Sequence, residues 1–140
     1  MKVAFATQDL ETVDAHFGWT PHLAVYEVRR SGCQLLATHD FAAGAEDGDE
    51  DKLAPRLAAL QGCAVLFTAA IGGSAAARVV AQGVHPIKLP DREQIARALE
   101  RLRAVLAGTP PPWLRRILLR EELPANQLFA GDVQPREGST

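Results

Sequence analysis

The chain has 140 residues, 47% of them hydrophobic and 23% charged, with a formal net charge of −2. This is the length of one domain with an ordinary globular composition, which excludes a disordered chain, and no apolar run approaches the roughly 20 residues of a membrane helix. Acidic residues gather in positions 1–60 and arginines in 61–140, without the dense basic stripe of a nucleic-acid binder, and two cysteines, Cys33 and Cys63, are too few for a disulfide framework.

The start, MKVAFATQDL, has a very short apolar run followed by acidic residues and does not read as a signal peptide, so a cytoplasmic setting is expected. Residues 2–7, KVAFAT, predict a buried first strand, stopped by Gln8 and Asp9. A loop over 8–21 follows and carries His16-Phe17-Gly18-Trp19. Residues 22–29 alternate Leu23, Val25 and Glu27 against Ala24, Tyr26 and Val28, the period of a strand. Ser31-Gly32 supplies a turn into a third strand over 33–41, which makes strands two and three a hairpin. After the acidic stretch from Gly44 to Asp51, Leu53, Leu57 and Leu60 recur at helical spacing, with Pro55 tolerable only in a first turn.

Residues 63–71, CAVLFTAAI, are almost wholly apolar and predict a central strand covered on both faces. Gly72-Gly73-Ser74 opens a helix that Gly83 stops. A short strand, VHPIKL, contains Pro86, which cannot donate to a ladder and so belongs at a sheet edge. Ile95, Leu99, Leu102 and Leu106 mark a helix within 91–107, and Pro110–Pro112 precede a last helix around Trp113–Arg120. The expected organisation is a domain over 1–122 and a mobile tail over 123–140.

Crossover helices make strands one, four and five parallel, and the hairpin makes strand two antiparallel. The expected fold is a three-layer α/β sandwich with a mixed five-stranded sheet in order 3-2-1-4-5, ribonuclease-H-like. In such sheets ligands collect beyond the carboxyl ends of the strands at the switch point, here between strands one and four. The loop after strand one brings His16, a nitrogen ligand suited to iron. Gly18 permits a tight turn, and Gly72, Gly73 and Ser74 expose backbone N–H groups that favour an anion.

Other chemistries find less support. A two-metal nuclease needs converging carboxylates, yet strands one and four contain no Asp or Glu, and Asp9 and Asp14 have no acid across the sheet. Ser74 and Cys63 have no histidine placed by sequence to activate them, so an enzyme is not expected. His22, His39 and His85 fall in predicted strands, where structural roles are expected. Arg115, Arg116 and Arg120 with Trp113 and Leu114 offer a docking face, which keeps an interaction or regulatory module without metal as the alternative reading.

Three stretches carry a resemblance: VAFATQDLETVDAHFGWTPHLAVYEV (Val3–Val28), CAVLFTAAIGGSAAARVVAQGVHPIKL (Cys63–Leu89) and AGTPPPWL (Ala107–Leu114). HFG, IGG and PPPWL in this order resemble the NifX/NafY family of nitrogenase iron–molybdenum cofactor biosynthesis proteins, over residues 1–118. The resemblance implies a carrier that transiently holds the cofactor or its iron–sulfur precursor. It places the cluster ligand on His16 of the HFG motif, His16-Phe17-Gly18, with Gly72, Gly73 and Ser74 as a cradle. It further implies a NifB-type donor and a NifE–NifN-type scaffold as partners. NafY-like relatives carry an extra N-terminal domain that this sequence does not show, which leaves direct docking on apo-nitrogenase open.

Overall fold

The computed structural model describes residues 1–41 and 52–122. The chain separates into two compact units, Met1–Ala107 and Gly108–Thr140. The first contains β1 (Lys2–Thr7), β2 (His22–Arg29), β3 (Gly32–Asp40), α1 (Leu53–Ala59), β4 (Cys63–Thr68), α2 (Gly73–Ala81), β5 (His85–Lys88) and α3 (Ile95–Ala107). The described part of the second is α4 (Pro112–Glu122), with proline at its first position, where the missing N–H leaves no bond unmade. The expected tail, 123–140, and the acidic stretch Gly44 to Asp51 before α1 lie outside the described residues.

The sheet order is β3-β2-β1-β4-β5, as the crossovers require. β1 runs antiparallel to β2, from Lys2 opposite Glu27 to Thr7 opposite His22, and parallel to β4. β5 sits at the edge, with Pro86 opposite Leu66. Alternation along the strands divides the core. Ala4, Ala6, Leu23, Val25 and Leu66 pack with Leu57 of α1, Leu60 at its C-cap, and Ala75 and Val79 of α2. On the other face Phe5 stacks on Phe67 at 5.1 Å between centroids and meets the edge of Tyr26 at 5.6 Å. The amphipathic α3 runs along β2 and buries Ile95, Ala98, Leu99, Leu102 and Leu106. No helix among the described residues is long and apolar enough to cross a membrane.

Two boundaries differ from the sequence reading by three residues or more, for one reason. β4 ends at Thr68 rather than at Ile71 because Ala69 and Ala70 leave the ladder to bond the loop after β1. α3 starts at Ile95 rather than 91 because residues 93–95 pair with that same loop. Val13 donates to the Glu93 carbonyl at 2.8 Å, and Ile95 donates to that of Glu11 at 2.8 Å. The β1–β2 loop is thus held by backbone bonds from two sides.

Candidate functional site

The loop is ordered from its first residues. The Asp9 carboxylate accepts from the backbone N–H groups of Glu11 at 2.9 Å and Thr12 at 2.8 Å, and these bonds hold it below the usual carboxylate range. Asp14 accepts from the Gln8 backbone, so Asp9 and Asp14 both serve the loop. Further on, Val13, Ala15 and Phe17 are buried in alternation, which leaves His16 partly exposed between its two inward neighbours. Phe17 lies wholly within the helix-covered core, where burial of such a side chain contributes about 1.5–3 kcal/mol. Its side chain therefore anchors the loop from beneath.

Phe17–Trp19 forms one turn of 3-10 helix, with His16 as its N-cap. The His16 ring accepts at Nδ1 from the Gly18 N–H, 3.0 Å away. It also stacks on Trp19, with centroids 5.6 Å apart and planes 7° from parallel. Trp19 is 55% exposed, so the imidazole rests on an aromatic plate at the surface. A backbone N–H can only donate, so the neutral ring carries its proton on Nε2.

The loop after β4 meets this turn. His16 and Ala70 form a parallel bridge, the Phe17 N–H donates to the Ala70 carbonyl at 3.0 Å, and Ala69 donates to that of Ala15 at 3.0 Å. The buried Thr68 hydroxyl lies 2.9 Å from the carbonyl oxygens of both Ala15 and Ala70. Two residues beyond Ala70, Gly72 caps α2 with an ordinary φ of −72° and no side-chain hydrogen bond. A Cβ built on Gly72 or Gly73 would meet no atom within 4 Å. Neither backbone strain nor packing accounts for the paired glycines, which with exposed Ser74 leave open space over the first N–H groups of α2. The bridge thus pairs the His16 backbone with Ala70, two residues before Gly72, while Gly18 is held to the His16 ring.

Arg56 is a residue that sequence reasoning missed. Its guanidinium is buried and donates to the Thr20 carbonyl through Nε at 3.1 Å and Nη2 at 2.8 Å, and to that of Lys52 at 2.8 Å. It lies 4.6 Å from the centre of the Phe41 ring. Burial lowers its pKa, and no carboxylate pairs with it among the described residues. The available signal was its position three residues after Leu53, on the apolar face of α1. Leu53 itself reaches Gly18, 4.0 Å from a Cβ built there.

Among the described residues no group of three His, Cys, Asp or Glu side chains could hold a metal ion. The register explains why the thiols stay away. Cys63 pairs with Lys2 and Cys33 with Val28, at the amino end of β1, whereas His16 follows its carboxyl end. Burial also pushes the Cys63 thiol up to about 11. His22 is held by Asp40 at 2.7 Å, and partial burial lowers the pKa of His85.

Comparison with known proteins shows the family of the chain. A family model described as dinitrogenase iron-molybdenum cofactor matches residues 1–105, which include both loops. The chain belongs to this family. It is 55% identical to Protein NifX of Herbaspirillum seropedicae over 119 residues, covering 84% of this chain and 82% of that one. It is 42% identical to Protein NifX of Rhodobacter capsulatus over 142 residues, covering 98% and 87%. The crystal structure of PH0822 has the same fold, with a TM-score of 0.58 at 19% identity, covering 74% of this chain and 89% of that one. Family membership places the chain in nitrogenase iron–molybdenum cofactor biosynthesis.

Proposed function

We propose that this protein carries an iron–sulfur precursor of the iron–molybdenum cofactor, or the cofactor itself, between cytoplasmic assembly proteins. The observation that carries this reading is the backbone bridge between His16 and Ala70, two residues before the open glycine turn at Gly72-Gly73. The imidazole supplies one bond to iron or molybdenum, and the uncapped N–H groups of α2 favour the negative charge of cluster sulfides. Iron–sulfur clusters that reside permanently in a protein are held by several thiolates. One imidazole holds cargo by a single exchangeable bond, so a receiving protein with a better ligand set takes it by displacement. The proposed donor is NifB-type, and the proposed receivers are a NifE–NifN-type scaffold and apo-nitrogenase.

Anaerobic titration with the cofactor extracted from dinitrogenase tests the proposal. The wild-type chain is expected to retain iron through gel filtration, and His16→Ala to remain folded while retaining at least about tenfold less, the scale on which metal-site substitutions act. Equal retention by both would remove His16 from the site. Absence of iron uptake by the wild type would favour an interaction module that never touches metal.

A further inference from the structure

We infer that His16 cannot cap the 3-10 turn and ligate cargo at the same time, so that loading releases the Gly18 N–H of the turn Phe17–Trp19 from its cap. This rests on the carrier reading above and concerns how the site is regulated.

A neutral imidazole has one nitrogen with an available lone pair and one that bears a proton. In this protein the lone pair of Nδ1 is occupied by the Gly18 N–H at 3.0 Å, and the proton is therefore on Nε2. A metal needs a lone pair. If it binds Nδ1, the Gly18 N–H loses its acceptor and the Nε2 proton stays where it is. If it binds Nε2, that proton leaves to solvent and Nδ1 takes one up, with no net change. Two N–H groups then face each other across the former hydrogen bond. Either route ends the cap.

The local structure suits such an exchange. The turn has three residues, closed by a backbone bond from Trp19 to His16 at 3.2 Å, and its outer side chain is exposed. Gly18 is explained by the capped state, because a Cβ there would come within 3.3 Å of His16 Cε1 and Nδ1. In the empty protein the cap withholds the ligand nitrogen from stray divalent metals. In the loaded protein its loss weakens cargo binding, and its recovery assists release.

Hydrogen exchange at the Gly18 amide reads this directly. In the empty 15N-labelled chain, two-bond proton–nitrogen correlations are expected to show His16 protonated at Nε2. Loading anaerobically with cofactor extracted from dinitrogenase, exchanging in D2O and quenching is expected to show Gly18 exchanging about tenfold faster than in the empty protein, the effect of losing a cap-strength bond. His16→Ala without cargo is expected to reach the same rate. Bound cargo with Gly18 exchange unchanged or slowed overturns this inference and leaves the carrier reading standing. A proton on Nδ1 in the empty protein does the same. Failure of the wild type to bind any cofactor overturns the carrier reading and this inference with it.

Discussion

At Gly72 and Gly73 neither packing nor backbone strain requires glycine. The φ of Gly72 is −72°, which any residue adopts, and an added methyl meets nothing within 4 Å at either position. Gly73 starts α2, where alanine is the better helix former by about 0.5–1 kcal/mol. Gly73→Ala is therefore expected to raise the urea midpoint slightly, and Gly72→Ala, at the N-cap where glycine is preferred to alanine, to lower it slightly. If cargo lies against these amides, both substitutions interpose a methyl and weaken cluster retention severalfold. The two effects have opposite signs at Gly73, so loss of binding there cannot be attributed to loss of folding. Variants that bind as well as wild type would move the cargo elsewhere.

At the scale of elements, the site depends on α1 although no α1 side chain is proposed to touch cargo. Arg56 places two N–H groups on the Thr20 carbonyl, at the residue that ends the His16 turn. Arg56→Met keeps much of the apolar stem but leaves that carbonyl without its donors, at a cost of about 1–3 kcal/mol. Arg56→Lys keeps the charge but not the planar fork, and is expected to recover less than half of the loss. Chemical denaturation measures both, and stability equal to wild type in Arg56→Met would show the grip to be dispensable. Arg56 also marks the limit of sequence reasoning. Strand order and the edge position of β5 were legible because they follow from alternation, crossover geometry and one proline. His16 was legible through its motif, and the two glycines through their place before a helix. The early end of β4 was not, since Ala69-Ala70-Ile71 continue an apolar run and only the Ala15 loop, far away in sequence, draws them off the sheet. Nor was a buried arginine, because a charge on an apolar helix face conflicts with the pattern that defines the face. The His16 cap was hidden too, since it is made to a backbone N–H whose position depends on the Phe17 anchor beneath it.

Across the whole of the unit Met1–Ala107, the thiols and the candidate site occupy opposite ends of the sheet, and this separation has a chemical consequence. A soft iron–sulfur cargo exchanges readily onto any accessible thiolate. Cys63 is denied to it twice, by burial among Leu57, Leu60 and Val79, and by a thiol pKa pushed up to about 11 from 9.0. Desolvation causes this rise, against a smaller opposing pull from Lys2. A raised thiol pKa means that the unfolded chain loses its proton first as pH increases. Stability from the neutral thiol is accordingly complete below pH 9 and is lost as pH rises toward 11. The urea midpoint of wild type is expected to fall across that window relative to Cys63→Ala, in which this component is absent. At pH 8 the same shift lowers the thiolate fraction about a hundredfold, since each pKa unit is a factor of ten. Iodoacetamide is therefore expected to label exposed Cys33 at least about a hundredfold faster than Cys63, with the difference abolished in urea. Comparable native rates would mean that β4 opens readily at its start.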